Sequence, residues 1–561
     1  MIAAPFRAYA PAVSTGVLLA LAFPRFSLFW LAWAALVPLL ASTWRTGVKA
    51  ASGRFCLAGL VFHLILLHWL VTNVYWAGGA ALTGYVLLSL TMALYWAAAG
   101  AAWGWLQSRL PVGVAVFAAF PALWAVMEKL QATLFTGFGW SALAHSQGPN
   151  LAVLQWAAVG GGLFIAFGIA AANAGLAAAW VAREGRRKAW LAAGSLALIV
   201  AAQGAGYMWL DEARYGEEPY ETAVVQPNFS QQMKWDPQFH GAMVEISANA
   251  SRALAADSSP DLFVWPEALI MPPFIRQSED EEPRISLEPG IGRLLQEFAD
   301  DTDAPLFTGA QRLDPATGNA YNSSHLLDAE GFPKAIYDKV HLTPFGEYVP
   351  LGDYLPFVGQ FVLAIGELHP GDELKVMEAG ERAFGPLICF EVLFAPMAET
   401  LRNEGADFLV VITNLGWFGA SAAPEQELDI ARLRAVETRL PLVHVGNTGV
   451  TGVFDPYGRF ELAQQYFRTG PVETAQGLPG IEEAVRFEAP APGATLGRRT
   501  GDVLPVAEPA ERVLDYGPPS FPYVAAFLLL VTAVWALLRG SRRSANPGKL
   551  PQGGAWRSLG E

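Results

Sequence analysis

The apolar residues of this chain are distributed unevenly. Long apolar runs fill residues 1–210, and one further run lies near the end, at 519–539. A run of about 20 apolar residues can cross the hydrocarbon core of a bilayer as a helix. Seven spans are predicted in the first part of the chain, near 9–23, 26–42, 55–75, 79–106, 111–130, 151–181 and 189–209. With an eighth at 519–539, the chain is expected to be a polytopic helical membrane protein.

Between the seventh and eighth spans, residues 215–515 are predicted to form a water-soluble domain. The tail, 540–561, is polar and is expected to be disordered. Overall, 53% of the residues are hydrophobic and only 16% are charged, which excludes an ordinary soluble protein. The net charge of −14 argues against a nucleic-acid partner, which would need a basic face. No metal or cofactor is expected.

The loop charges predict the orientation in the membrane. On one side the predicted loops carry Arg7, Arg45, Lys49, Arg54, Arg109, Arg183, Arg186, Arg187 and Lys188. The opposite loops carry only Arg25 and Lys129, which either meet lipid phosphates or extend to the membrane surface. After the last span come Arg539, Arg542, Arg543 and Lys549. Because basic loops stay in the cytoplasm, both termini are predicted inside and residues 215–515 outside.

The soluble domain has the pattern of an α/β fold, in which short apolar strands alternate with helices. Strands are predicted at 223–225, 262–265, 305–308, 387–388 and 408–412. Helices are predicted at 240–256, 288–299 and 425–439, and the last of these is expected to turn one broad apolar side to the core.

Cys389 directly follows the apolar run Leu387-Ile388, which indicates a buried strand that ends in a thiol. Open α/β sheets bind ligands at such strand ends. It is the only cysteine outside the predicted spans, because Cys56 lies in the third. Two interpretations remain open from this stretch: a nucleophile, or a small buried core residue.

Two other stretches supply the groups that a cysteine nucleophile needs. Trp265-Pro266-Glu267 closes a strand with a carboxylate that can act as general base. The loop 337–350 is rich in aromatic residues, Gly and Pro, and it holds Lys339, a candidate for stabilising the oxyanion. Spacing alone does not show that Glu267, Lys339 and Cys389 meet.

These motifs carry a resemblance. Trp265-Pro266-Glu267, then the loop 338–350, then Ile388-Cys389-Phe390-Glu391 resemble the nitrilase (carbon–nitrogen hydrolase) superfamily with its Glu-Lys-Cys triad. The long lysine loop and the membrane spans resemble one branch of it, the apolipoprotein N-acyltransferases. The likeness extends to Val225-Gln226, Lys234-Trp235-Asp236-Pro237, Phe135-Thr136-Gly137-Phe138-Gly139-Trp140 and Trp417-Phe418-Gly419.

The resemblance implies an αββα sandwich on the outer face of the membrane domain, and an acyl transfer in two steps. Cys389 would attack a phospholipid ester, with phosphatidylethanolamine the expected donor, and would keep the acyl chain as a thioester. The free amino group of the diacylglyceryl-cysteine of a lipoprotein would then take that chain. The implied location is the bacterial inner membrane, with the catalytic domain in the periplasm.

The resemblance also implies a role for each site residue. Glu267 would be the general base and Lys339 the oxyanion stabiliser. The implied supporting or substrate-binding residues are Glu347, Glu391, Phe390, Trp235 and Trp417, the last on a loop that can act as a lid.

Three positions depart from the family pattern. Phe390 stands where a tyrosine is often found, Leu415 where an aspartate is expected and Glu427 where a histidine is common. None belongs to the triad. Trp140 either lines a lipid path or packs in an aromatic belt. The alternative functions are a membrane-tethered amidase that hydrolyses a small amide, and a catalytically inactive nitrilase fold that serves as a scaffold.

Overall fold

The computed structural model describes residues 3–73, 78–212, 220–256, 258–276, 285–286, 289–349, 368–466, 501–510 and 521–544. Within them, apolar helices occupy all eight predicted span regions. The helices are α1 (Ala3–Leu21), α2 (Val37–Thr43), α3 (Val48–Leu66), α4 (Gly79–Leu106), α5 (Val112–Gln131), α6 (Leu151–Leu154), α7 (Ala157–Val181), α8 (Gly185–Trp209) and, at the end of the chain, Phe521–Ser544. Short 3₁₀ helices lie at Phe29–Trp33, His68–Asn73 and Leu143–Gln147.

Five helices of the described residues are long and apolar enough to cross a membrane: α3, α4, α5, α7 and α8. The apolar helices near the two chain ends, Tyr9–Leu21, Phe29–Thr43 and Phe521–Leu537, are shorter, so the count of eight spans stays a prediction. Helix α3 begins at Val48, not at residue 55, because a helix continues through Lys49 and Arg54 where an apolar run ends. The last helix continues to Ser544, and the rest of the predicted disordered tail lies outside the described residues.

The α/β domain contains fourteen strands and five helices in the described residues. The strands are β1 (Tyr220–Val225), β2 (Leu262–Val264), β3 (Ile270–Arg276), β4 (Ile285–Ser286), β5 (Leu306–Leu313), β6 (Ala320–Leu327), β7 (Pro333–Asp338), β8 (Met377–Ala379), β9 (Arg382–Ile388), β10 (Phe408–Thr413), β11 (Leu442–Gly446), β12 (Gly449–Phe454), β13 (Phe460–Tyr466) and β14 (Gly501–Val506). The helices are α9 (Gln231–Trp235), α10 (His240–Ala255), α11 (Pro289–Thr302), α12 (Ala395–Asn403) and α13 (Ala423–Thr438), and Phe521–Ser544 is α14. The strands predicted at 223–225, 262–265, 305–308, 387–388 and 408–412 are confirmed as β1, β2, β5, β9 and β10, and the three predicted helices as α10, α11 and α13.

The strands form two sheets that pack face to face. One runs β14-β1-β2-β5-β3-β4, with β6 and β7 added beside β5, and the other runs β13-β12-β11-β10-β9-β8. Residues such as Val264, Phe307, Ile388 and Val410 share one buried apolar layer between the sheets. Helices α10 and α11 cover the outer face of the first sheet. The predicted αββα sandwich is therefore confirmed.

The outer face of the second sheet is covered by α12 and α13, and their apolar residues belong to one core with the membrane helices. Helix α13 packs against α7 of the membrane half. The prediction of one apolar side for α13 is too simple, because the helix lies between the sheet and the membrane helices and is buried on nearly all sides. Its buried residues include Gln426, Glu427, Asp429, Arg434 and Glu437. One apolar side in a helical sequence indicates one packing partner, whereas α13 packs against two, the second sheet and the membrane helices.

Candidate active site

Glu267 follows the carboxyl end of β2. The strand ladder extends one residue further, because the Trp265 N–H donates to the Phe307 carbonyl over 2.8 Å, and it ends at Pro266, which has no N–H. On β5, a Cβ added to Gly309 would lie 2.6 Å from the Glu267 Cα. Glycine therefore lets the segment that carries Glu267 pass directly over β5. Glu267 itself is buried.

Lys339 follows the end of β7 and is buried within the lysine loop. Its Nζ lies 2.9 Å from Oε2 of Glu347 and 3.9 Å from Oε1 of Glu267. Glu347 is held in turn by the N–H of Thr343, which donates to its Oε2 over 2.7 Å. The loop therefore folds back on itself, so that a lysine and a glutamate eight residues apart form an ion pair beside Glu267.

Asn322, on β6, joins the two carboxylates. Its Nδ2 donates to Oε1 of Glu267 over 2.8 Å and to Oε1 of Glu347 over 2.6 Å. Strand β6 pairs with both β5, over which the Glu267 segment passes, and β7, which leads into the loop that carries Glu347. Sequence reasoning missed this residue, because nothing around Asn322 distinguishes it from any other polar residue of a strand.

Cys389 lies where β9 ends, as the sequence predicts. Ile388 pairs with Ile412 of β10, which places Cys389 at the carboxyl edge of the second sheet. Its backbone has φ +52°, a left-handed conformation that is uncommon for a residue with a side chain and is often found at functional sites. Cys389 is only partly buried, whereas Glu267, Lys339 and Glu347 are almost completely covered. Cys389 is therefore the most accessible residue of the cluster.

The electrostatic environment keeps the Cys389 thiol neutral at rest. Burial raises its pKa well above the usual value, Glu267 and Glu427 add to this effect, and Lys339 opposes it. Burial also raises the pKa of Glu267, although Lys339 acts in the other direction. A carboxylate with a raised pKa is a better proton acceptor, so Glu267 is suited to remove the thiol proton.

Lys339 and Glu347 form a permanently charged pair. Burial alone would lower the pKa of Lys339, but Glu347 and Glu267 outweigh it and raise that pKa. Burial would likewise raise the pKa of Glu347, but Lys339 and the Thr343 N–H hold it below its usual value. A fixed cation is thereby kept beside the thiol and the candidate base.

Glu391 connects the lysine loop to the end of β9. Its Oε1 accepts hydrogen bonds from the Tyr337 hydroxyl, the Val340 N–H and the His341 N–H, over 2.7, 2.8 and 3.0 Å. Its Oε2 accepts from the Ile388 N–H over 2.8 Å. The side chain is fully buried, with four protein donors. This geometry favours a positioning role over substrate contact.

The aromatic candidates belong to two separate groups of rings. Phe390 is buried, and its ring centroid lies 6.0 Å from that of His341 and 5.4 Å from that of Phe394. Trp235 is 37% exposed. Its ring centroid lies 6.2 Å from that of Trp417. This pair of rings links α9 to the loop after β10.

The other departures from the family pattern are buried too. Leu415 is 1% exposed, in the short 3₁₀ helix Leu415–Phe418 that carries Trp417. Oε1 of Glu427 lies 3.6 Å from Nε2 of His444 on β11, with both side chains buried. Glu427 therefore faces a histidine that sequence reasoning did not connect to it.

Lys234 is a second residue that sequence reasoning missed. It is 1% exposed, and its Nζ donates to the backbone carbonyl of Glu267 over 2.9 Å. Burial lowers its pKa to about 7, against the attraction of Glu267. In the sequence, segment 234–237 stands out only through the family resemblance.

The two packed sheets and the charged cluster at the strand ends place the domain in the carbon–nitrogen hydrolase class. Residues 221–467 match the family model described as carbon–nitrogen hydrolase. Residues 15–175 match the model for the N-terminal domain of apolipoprotein N-acyltransferase.

Curated relatives extend the match over most of the chain. An apolipoprotein N-acyltransferase of Geobacter metallireducens is 34% identical over 487 residues, which cover 85% of this chain and 91% of the relative. Another, of Pseudomonas syringae pv. tomato, is 31% identical and covers 82% of this chain and 88% of its own length. The chain belongs to the apolipoprotein N-acyltransferase family.

Proposed function

We propose that this protein transfers an acyl chain from a membrane phospholipid to the free N-terminal amine of a diacylglyceryl-cysteine on a lipoprotein, through a thioester on Cys389. The observation that carries the proposal is the buried ion-paired cluster of Glu267, Lys339 and Glu347, which acts electrostatically on the partly exposed residue Cys389, in a domain that shares its core with membrane helices. Phosphatidylethanolamine is the proposed donor.

In the first step Glu267 accepts the thiol proton and the Cys389 thiolate attacks the ester carbonyl carbon. Lys339 stabilises the negative charge on the carbonyl oxygen. The carbon–oxygen bond to the glycerol breaks, and the departing oxygen takes the proton from Glu267. The products are a lysophospholipid and the acyl thioester.

In the second step the neutral amine of the lipoprotein attacks the thioester carbonyl. Glu267 accepts a proton from the attacking nitrogen, the carbon–sulfur bond breaks, and the thiolate recovers that proton from Glu267. The products are an amide and the free thiol, so the enzyme returns to its starting state. The amidase alternative shares the first intermediate and differs only in that water attacks it.

The deciding experiment incubates the purified full chain with phosphatidylethanolamine vesicles and no acceptor. Lysophospholipid should appear in a burst of about one equivalent and then stall, because the acyl-enzyme waits for its second substrate. The intact mass should rise by one acyl group, and hydroxylamine should remove that group. Phosphatidylglycerol vesicles in a parallel arm test the choice of donor.

Adding a lipopeptide with a free diacylglyceryl-cysteine amine should then discharge the enzyme and restart turnover. The same lipopeptide with its amine acetylated is the matched control and should not. Steady release of free fatty acid in the absence of acceptor would instead identify a hydrolase.

We further propose that the catalytic domain lies in the periplasm of a bacterial inner membrane. In a background that lacks Cys56 and Cys389, a cysteine placed at Ala316, on the exposed turn between β5 and β6, should react with an impermeant thiol reagent in cells with a permeabilised outer envelope. A cysteine at Ser108, exposed between α4 and α5, should react only after lysis, because that loop belongs to the basic side. Labelling of Ser108→Cys in unlysed cells would overturn the orientation.

A further inference from the structure

Gln426 lies in the first turn of α13 and is 3% exposed. A primary amide can donate two hydrogen bonds and accept two, and all four positions of this side chain are used. Its Oε1 accepts from the indole Nε1 of Trp69 and of Trp140, over 3.0 and 2.6 Å. Its Nε2 donates to the carbonyl oxygens of Pro24 and Leu66, over 3.2 and 3.3 Å.

All four of these partners belong to the membrane half. Pro24 lies between α1 and α2, Leu66 and Trp69 lie at the end of α3 and just after it, and Trp140 lies after α5. One side chain of the catalytic domain therefore holds three separate membrane segments together. Trp140, for which the sequence left a lipid path and an aromatic belt open, is buried at this junction.

The same membrane residues contact residues 415–422, here called the Trp417 loop. The ring of Phe418 lies 4.7 Å, edge-on, from that of Trp69, and Trp69 lies 4.9 Å from Trp140. Arg25, next to Pro24, donates to the carbonyl of Ala420. The Trp417 loop is thus bordered by the membrane segments to which Gln426 is hydrogen-bonded.

The Trp417 loop begins two residues after β10, at the edge where the neighbouring strand β9 delivers Cys389. Just before the loop, Asn414 accepts a hydrogen bond from Nε2 of Gln231 on α9 over 3.1 Å. Trp417 approaches Trp235 at the end of the same helix. The loop therefore lies at the same sheet edge as Cys389.

We propose that Gln426 is a positioning residue that fixes the Trp417 loop to the outer ends of the membrane segments and so keeps water from the Cys389 thioester. The inference rests on the proposed function, because it concerns the intermediate of that reaction. A thioester that waits for a second substrate survives only where water is excluded. Without the Gln426 amide, two buried indole N–H groups and two carbonyl oxygens lose their partner. The contact between the membrane segments and α13 is then weakened.

The competing reading is that Gln426 merely contributes to the stability of the contact between the two halves. The two readings differ in what happens to the acyl chain. A purely structural defect lowers the amount of active enzyme but leaves each active molecule with the normal products. A loosened loop changes the products, because free fatty acid is released at the expense of amide.

The experiment measures free fatty acid and amide together, with the full-length enzyme, phosphatidylethanolamine vesicles and a lipopeptide with a free amine. In Gln426→Leu the ratio of free fatty acid to amide should rise about tenfold, the factor that corresponds to the loss of one ordinary hydrogen bond in holding the loop.

Gln155→Leu is the matched control. Gln155 is also a fully buried glutamine between the two halves, since its Nε2 donates to the Tyr457 carbonyl over 2.9 Å and its Oε1 accepts from Arg439 over 2.6 Å. Its side-chain hydrogen bonds reach Leu151, Tyr457 and Arg439 and not the Trp417 loop, so the product ratio of the variant should stay that of the wild type. If Gln426→Leu does not fold, Trp69→Phe removes one of the four hydrogen bonds, keeps an aromatic ring and should raise the ratio as well.

An unchanged ratio in the Gln426 and Trp69 variants would overturn the inference, and so would an equal rise in Gln155→Leu. The proposed function fails in a different way, when the wild-type enzyme forms no acyl adduct on Cys389 at all.

Discussion

Replacing Cys389 by alanine should abolish both acyl-enzyme formation and turnover. The thioester needs the sulfur atom, and the described structure brings no other thiol to the cluster, because Cys56 lies in α3. The measurement is the release of lysophospholipid together with the intact mass of the protein after incubation with phospholipid vesicles. Neither a burst nor a mass increase should be detectable.

Cys56→Ala is the matched control for this variant. It removes the other cysteine of the chain, from a membrane helix, and it should keep the burst and the acyl adduct of the wild type. The covalent mechanism would be refuted if Cys389→Ala retained substantial turnover, or if the acyl group of the wild type were found on another residue. Preferential labelling of Cys389 over Cys56 by a thiol probe would also argue against an inactive scaffold.

The sequence predicted the sheet edge that carries the thiol but not how the other groups reach it. The apolar run before Cys389 and the proline before Glu267 are local signals, and both strands end where those signals place them. That Lys339 lies 3.9 Å from Glu267 depends instead on the pairing of β5, β6 and β7. From the sequence, only the family resemblance indicates that these residues meet.

Asn322 and Lys234 show why the rest could not be predicted. Asn322 matters because its strand lies between two others, and Lys234 because a short helix turns it towards the backbone of Glu267. Strand register and the orientation of a single turn are tertiary facts, and no local pattern of residue types encodes them. From the sequence alone, each of these side chains would be predicted to be an ordinary solvated polar residue.

Helix α13 illustrates the same limit at the junction of the two halves. Its apolar residues were visible in the sequence, but the helix packs on the second sheet and on α7 together. The polar residues between them, including Gln426, are therefore buried and bonded. A polar residue on a helix is usually solvated, and only the position of the membrane half reverses that expectation here.

Glu267→Gln should slow acyl-enzyme formation by a factor on the order of 100 or more, because the amide cannot accept the thiol proton. The substitution preserves the shape of the side chain and keeps an oxygen for Asn322. Lys339 keeps its closer partner, Glu347, at 2.9 Å, so the lysine should remain in place. The measurement is the single-turnover rate of acylation, followed by intact mass.

The pH profile separates the loss of a base from a general disturbance of the site. In the wild type, acylation should fall as the pH falls through the pKa of Glu267, because the protonated carboxyl cannot accept a proton. Burial raises that pKa, so this acid limb should lie above the ordinary glutamate value of about 4.3. Glu267→Gln should lack the limb, and its residual rate should increase at high pH, where the Cys389 thiol ionises without a base.

Glu245→Gln, an exposed carboxylate on α10, is the matched control and should keep both the rate and the acid limb of the wild type. The assignment of Glu267 as the base would be wrong if Glu267→Gln kept the same acid limb, since another group would then be titrating. It would be equally wrong if the variant acylated Cys389 at nearly the wild-type rate at neutral pH. In either case Lys234, a buried group beside Glu267 whose pKa burial lowers to about 7, would become the candidate to test.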